Sequence, residues 1–222
     1  MATMQLVSVL VSVNVGLPRQ VIWKNRVVTT GIFKEPVSGR VAVRRLNLDG
    51  DRQADLSVHG GPHKAIYAYP AEHYAYWRRE LPDMSLPWGM FGENLTTHGL
   101  HEEAVNVGDR FRIGSVELMA TEPRLPCYKL GLRFGREDIV KRFLASGRSG
   151  MYFAVVKEGD LAAGDAFEVI HRDERHVTVA DIVRLYVRDK DDVETLARAV
   201  QLEALSESWR EHFRRQLEKH AK

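Results

Sequence analysis

The hydrophobic period of this chain changes once, after His171, and that switch bounds the fold more tightly than any other feature. Before it, apolar residues recur at every second position. Val7, Val9, Val11 and Val13 alternate with Leu6, Ser8, Leu10 and Ser12, so residues 4–13 are expected to form a strand. The same criterion gives strand over Val21–Thr30 with a turn at Lys24-Asn25, over Arg40–Leu48 up to the turn pair Asp49-Gly50, and over Ala65–Tyr69. Val105–Ala120 reads as a hairpin about Gly114-Ser115, and Met151–Val156 and Ala166–Ile170 as further strands. Pro70 suits the first position of a helix carrying Tyr74, Trp77 and Leu81. Asp138–Leu144 reads as a short helix, and residues 82–103 as one long loop, a length often tied to function. Gly108-Asp109-Arg110-Phe111 resembles Gly164-Asp165-Ala166-Phe167, as expected if one local solution opens two strands of a β-barrel.

After His171 the period becomes helical. Thr178 and Asp181 form a capping box ahead of Val179, Ile182, Val183 and Tyr186. Asp191 or Asp192 caps a second helix with Val193, Leu196, Ala197 and Val200 on one stripe. Ser206 or Ser208 caps a third, with Trp209, Phe213 and Leu217 at successive turns. The expected fold is mainly β with α: a β-barrel body over residues 1–170 and a small three-helix domain over residues 171–222.

With 222 residues, 44% of them hydrophobic, the chain can bury a sizeable core. The single cysteine, Cys127, excludes an internal disulfide and fits a reducing compartment. No apolar run reaches the ~18 residues of a membrane span. Residues 5–13 lack the flanks of a signal peptide, so a cytoplasmic location without a membrane partner is expected. The helical segment 171–222 carries 11 Lys+Arg against 11 Asp+Glu, and phosphate contact needs local positive charge. Nucleic acid is therefore not an expected partner.

The common nucleotide fingerprints G-x-G-x-x-G and G-x-x-x-x-G-K-[ST] are absent. His101-Glu102-Glu103-Ala104-Val105 begins like a zinc-protease motif but ends in Val. His59-Gly60-Gly61 resembles an esterase oxyanion loop, yet no G-x-S-x-G supplies a nucleophile.

Three polar clusters remain. The first runs from Gly50-Asp51-Arg52-Gln53-Ala54-Asp55 to His59-Gly60-Gly61-Pro62-His63-Lys64. Adjacent glycines let backbone N–H groups approach a ligand, and Lys64 can neutralise a phosphate; an ordinary turn is the other reading. The second is Gly89-Met90-Phe91-Gly92-Glu93-Asn94-Leu95, where the Asn94 amide either reads a heterocycle edge or caps a loop. The third is Pro123-Arg124-Leu125-Pro126-Cys127-Tyr128-Lys129-Leu130. Flanking cations favour the Cys127 thiolate and the prolines stiffen its backbone; a buried, inert cysteine is the alternative.

Taken in order, these clusters resemble the MOSC domain, and specifically its YiiM-like branch. Thr30-Gly31-Ile32-Phe33-Lys34, Tyr69-Pro70-Ala71-Glu72-His73-Tyr74 and the three-helix tail extend the resemblance over nearly the whole chain. His63 stands where many relatives carry Asp. The resemblance implies a MOSC-type β-barrel that binds molybdenum cofactor, a pterin dithiolene with a phosphate (molybdopterin). It implies that Cys127 ligates the molybdenum. It further implies reduction of N-hydroxylated bases such as 6-N-hydroxylaminopurine, a detoxification. Within that frame Lys64, Arg124, Lys129 and Lys34 are candidates for anionic groups, with Gly60 and Gly61 as the close backbone. His59 is the candidate proton donor or pterin contact, and Asn94 orients pterin or substrate. One cysteine cannot hold an iron–sulfur cluster of the usual four-cysteine type, so electrons are expected from a separate donor protein. Family habit adds a homodimer. The competing expectation is a non-catalytic carrier that holds cofactor or sulfur on Cys127.

Overall fold

The computed structural model describes residues 8–54 and 60–220. The predicted strand start at residues 4–7, the motif residue Asp55 and the candidate His59 lie outside the described residues. The elements in chain order are β1 (Ser8–Val15), β2 (Arg19–Trp23), β3 (Arg26–Thr30), β4 (Glu35–Val37), β5 (Val41–Val43), β6 (Ile66–Pro70), α1 (Ala71–Glu80) and β7 (Leu95–His98). There follow β8 (Arg110–Ile113), β9 (Val116–Pro123), α2 (Tyr128–Phe134), α3 (Asp138–Ser146), β10 (Met151–Lys157), β11 (Gly159–Leu161) and β12 (Ala166–His171). Three helices close the chain: α4 (Val179–Val187), α5 (Val193–Val200) and α6 (Glu207–His220).

The main sheet runs β12-β8-β9-β10-β6-β7-β1 and closes on itself where β1 pairs with β12. Closure removes the exposed edge that an open sheet would carry. β4 hangs on β1 as an added edge strand, which explains why Pro36 is tolerated within it. The β6–β7 pair is parallel, with Ala68 opposite Leu95, and α1 lies in the crossover that such a pair requires. At the β2–β3 hairpin Lys24 and Asn25 both take positive φ, the two-residue turn whose twist suits a hairpin.

The repeated Gly-Asp motif is one device used twice. Asn106 N donates to Asp109 Oδ2 at 2.9 Å, and Ala162 N donates to Asp165 Oδ2 at 2.9 Å. In each copy the preceding glycine has strongly positive φ, 99° at Gly108 and 95° at Gly164, and the loop delivers the chain into neighbouring strands β8 and β12.

Period-two alternation on β6 builds two apolar layers. Ile66 and Ala68 face the barrel cluster, which also takes in Leu10, Phe111 and Phe153 and runs on into Leu196, Trp209 and Phe213 of the terminal helices. Tyr67 and Tyr69 face a second cluster with Trp77, Phe91, Phe134 and Phe143, between the barrel wall and α1–α3. Both faces of β6 are therefore buried.

The terminal helices follow the sequence closely. Thr178 and Asp181 form the reciprocal capping box, and Asp192 caps α5 through Thr195 N at 3.1 Å. Elsewhere the elements differ. The segment 82–103 is not one loop, because Leu95–His98 pairs into the barrel. Strand in the stretch 40–48 is confined to Val41–Val43, since the chain doubles back so that Leu48 bridges Val43. Helix α2 is absent from the expected elements. It is short and carries Gly131, but Gly135 ends it in the left-handed conformation. No helix among the described residues is long and apolar enough to cross a membrane.

Candidate functional site

The three polar clusters converge on one cavity, open to solvent. It lies against Tyr67 and Tyr152, on the side of β6 and β10 that turns away from the barrel interior. Lys34, Arg52, Lys64, Arg124 and Lys129 line it, together with Cys127, and no carboxylate does so among the described residues.

Each side chain is delivered by a distinct piece of backbone. Cys127 is extended, immediately ahead of α2, so the helix start fixes where its sulfur leaves the chain. Two residues on, Lys129 is buried within α2 and makes no ion pair with a described residue. Arg124 leaves the end of β9, donates to the Phe91 carbonyl and lies 4.8 Å from the Tyr67 ring centroid. Burial works against its charge, but Tyr67, Tyr152 and Cys127 outweigh that and raise its pKa. A fixed cation thus stands in the electrostatic field of the Cys127 sulfur. Burial pushes Tyr67 well above its ordinary range and Tyr152 up to about 12, so both remain neutral phenols near neutral pH.

Lys34 is paired inside the protein. Its ammonium contacts the Asp51 carboxylate, with side-chain exposures of 8% and 1%. Burial depresses the Lys34 pKa, and Asp51 and Glu93 only partly restore it. Asp51 also accepts from Gly16 N at 2.9 Å and from Asn94 Nδ2 at 2.9 Å. Asn94 lines the cavity, but its oxygen accepts from Tyr67 N at 3.1 Å and its amide N–H groups face Asp51 and the Asn14 carbonyl. Asn94 therefore orients the cavity wall. Glu93 beside it is wholly buried and accepts from Gly89 N at 2.8 Å, Phe91 N at 3.1 Å and Thr96 Oγ1 at 2.9 Å. That carboxylate shapes the loop whose Phe91 carbonyl receives Arg124.

Lys64 sits in a 3-10 turn at Pro62–Lys64, 3.3 Å from Glu122 Oε1. Gly60 lines the cavity; Gly61 instead opens the turn with φ 82° and accepts from Lys64 N at 3.1 Å. His63 turns away, its Nδ1 lying 3.1 Å from the Ala204 carbonyl. That contact ties the glycine-rich segment to the three-helix domain.

Asp51, Arg52, Tyr67, Tyr152 and Glu122 were not singled out from sequence. The first two stood within a quoted motif, but the partners of Asp51, Gly16 and Asn94, lie far along the chain. The period-two pattern of β6 did carry a signal for Tyr67, since it puts that ring opposite the barrel core. At His101-Glu102-Glu103 three potential ligand atoms lie within 4.8 Å. Glu102 there is already bonded to His73 at 2.8 Å and to Gly150 N at 2.6 Å.

Comparison with known proteins identifies the family of the fold. The MOSC domain family matches residues 55–168, and the YiiM-like, 3-alpha helix domain matches residues 177–220. YflK of Bacillus subtilis (strain 168) is 40% identical over 202 residues, 91% of each chain. The crystal structure of YiiM from Geobacillus stearothermophilus superposes with a TM-score of 0.79 at 34% identity, covering 95% of this chain and 99% of that one. A protein of Gibberella moniliformis (strain M3125 / FGSC 7600) named "Reductase" is 33% identical over 178 residues, 79% of this chain but only 32% of the fungal protein. The fold is thus shared with the YiiM structure, and the chain belongs to the MOSC domain family, with a YiiM-like three-helix domain at its C-terminal side.

Proposed function

We propose that this chain is a molybdenum-cofactor-dependent reductase of N-hydroxylated bases or related N-hydroxylated compounds. The observation that carries the reading is the convergence of Cys127 with Lys34, Lys64, Arg124 and Lys129 on one cavity free of carboxylates among the described residues. MOSC domains are generally associated with molybdenum cofactor binding. The residues present fit that group. A thiolate suits molybdenum, which favours soft sulfur donors. Cations suit the negative charge of a dithiolene and a phosphate.

In this reading Cys127 is the metal ligand. Lys129, Arg124 and Lys64 hold the anionic parts, and Gly60 allows close backbone approach. When bound, the cofactor supplies two-electron redox chemistry. Conversion of N–OH to N–H consumes two electrons and two protons and releases water. A separate donor protein supplies the electrons. This chain binds, orients and delivers protons. Lys64, paired to Glu122 and 31% exposed, can hold a proton at Nζ on the rim. His59 is proposed as a second proton donor.

Elemental analysis of protein from a cofactor-producing host tests the reading. Wild type should carry stoichiometric molybdenum and Cys127→Ala none, with the same circular dichroism. Wild type without molybdenum overturns it. Molybdenum retained without reduction of N-hydroxylated compounds replaces the reductase with a carrier.

A further inference from the structure

The β2–β3 hairpin stands apart from the barrel as its own two-stranded sheet. Its register sets Ile22 opposite Val27 and Val21 opposite Val28. Opposed residues share a face and successive ones alternate. One face therefore carries Val21, Trp23 and Val28, all half-buried. The other carries Gln20, Ile22, Val27 and Thr29, all exposed, with Ile22 at 79% and Val27 at 67%. A cross-strand pair of β-branched residues left in water forgoes the burial its chemistry favours, and adjoining apolar exposure marks an interaction surface.

Charge singles out what this surface meets. Arg26 lies at the tip of the hairpin and Arg19 at its root, so cations frame the apolar pair along the strands. Arg19 and Arg133 of α2 both stack on the Phe33 ring, 3.8 and 4.9 Å from its centroid. None of these three arginines makes an ion pair with a described residue, whereas Lys24 in the turn is held 2.5 Å from Glu137 Oε1. Arg133 Nε is buried without a hydrogen-bond partner among the described residues. Burial, then Arg19, lowers the Arg133 pKa, and Glu93, Tyr74 and Glu35 offset this only in part. Two guanidinium groups on one ring, with no carboxylate bonded to either, make a receptor for a carboxylate brought by a partner.

The surface is continuous with the cavity. β3 ends at Thr30, and Thr30, Gly31, Ile32 and Lys34 line the cavity, while Phe33 between them does not and carries the two arginines. On α2, Lys129 and Arg133 are four residues apart and so share a helix face: Lys129 lines the cavity and Arg133 lies one turn beyond it. Positive charge thus continues from the cavity wall to the root of the hairpin.

We infer that the β2–β3 hairpin, with Arg19, Arg26 and Arg133, is the docking surface for the electron-donor protein, and that this donor presents acidic residues around an apolar centre. The inference rests on the proposed function, which draws two electrons from a separate protein for each N–OH converted to N–H and water. An apolar centre with a charged rim is the usual anatomy of a protein interface, and the sign of the rim selects the partner. A second copy of this chain meeting the face symmetrically would set arginine against arginine.

The test uses the full chain from a cofactor-producing host and flavodoxin, a small acidic flavoprotein, as probe. Calorimetric titration with oxidised flavodoxin reads docking without turnover. Wild type should bind it, at least tenfold more weakly in about 500 mM than in about 50 mM salt. Arg19→Glu should weaken binding tenfold or more. Ile22→Thr combined with Val27→Thr, which keeps both side chains β-branched, should weaken it several-fold, with circular dichroism unchanged. During reduction of an N-hydroxylated base the same variants should raise KM for reduced flavodoxin in step. The rate with reduced methyl viologen, a small reductant that needs no docking face, should stay unchanged. Absence of binding by wild type, affinity unmoved by the variants, or an equal loss of rate with methyl viologen overturns the docking surface. Sedimentation showing wild-type dimers that the Ile22 and Val27 changes dissociate gives the face to self-association and overturns it as well. Flavodoxin bound as described by a chain that reduces nothing even with methyl viologen leaves the docking surface and counts against the proposed reductase alone.

Discussion

Replacing Asp51 by Asn isolates the buried charge beneath the cavity. Asp51 is 1% exposed at its side chain, and each of its partners is a donor: the Lys34 ammonium, Gly16 N and Asn94 Nδ2. An amide of the same shape must turn its NH2 toward one of them. Asn94 cannot flip to compensate, because its oxygen is needed by Tyr67 N. Removing one member of a buried pair strands the other, at a cost of about 3–5 kcal/mol. With a urea slope of about 2 kcal/mol per molar, the unfolding midpoint should fall by ~2 M. The pH dependence has a definite sign. Burial already holds Lys34 below its ordinary value of 10.5, and loss of Asp51 lowers it further. The variant's defect is therefore full below its own folded Lys34 pKa, and it shrinks as pH rises from there to the less depressed folded Lys34 pKa of the wild type, because the variant's folded state sheds the proton first. Adding Lys34→Met should recover part of the loss at neutral pH. A midpoint shift under about 0.5 M, or a defect that does not shrink with rising pH, would falsify the buried-pair account.

Three further outcomes are expected. Lys129→Ala should reduce molybdenum retention without changing the unfolding free energy by more than about 1 kcal/mol, since Lys129 forms no ion pair with a described residue; unchanged occupancy removes it from the site. Burial raises the Glu102 pKa, but the His73 and Gly150 contacts outweigh it and hold the carboxyl below its ordinary range. Its stabilisation is present above that range and is lost as pH falls through the depressed value. His73→Phe should accordingly move the acid-unfolding midpoint to higher pH, and no movement refutes the pairing. Finally, both Gly→Ala changes in the repeated turn should cost about 1–2 kcal/mol in backbone strain. Gly108→Ala should cost more than Gly164→Ala by thermal unfolding, because its new Cβ would lie 2.7 Å from Asp173 Oδ2 while the other meets nothing within 4 Å.

Local chemistry was legible wherever the partner lay nearby in the chain. The hairpin turn at Lys24-Asn25, the Thr178–Asp181 capping box, the Asp192 cap and the twin Gly-Asp loops each depend on residues within a few positions, so their pattern reports them. The same locality explains the misses. Strand Leu95–His98 exists because β1 and β6 lie on either side of it, and α2 persists because Leu130 and Phe134 are buried in the outer aromatic cluster.

The order of motifs along the chain determined the fold, the candidate thiol and most of the cations around it. Only the tertiary structure decided what each of them faces. Lys34 meets an aspartate 17 residues away, Asn94 spans to Asn14 across 80, and Glu122 and Trp209 line one cleft. The physical reason is that period and propensity act over a few residues. Charge pairing and desolvation depend on what closure of the barrel brings together.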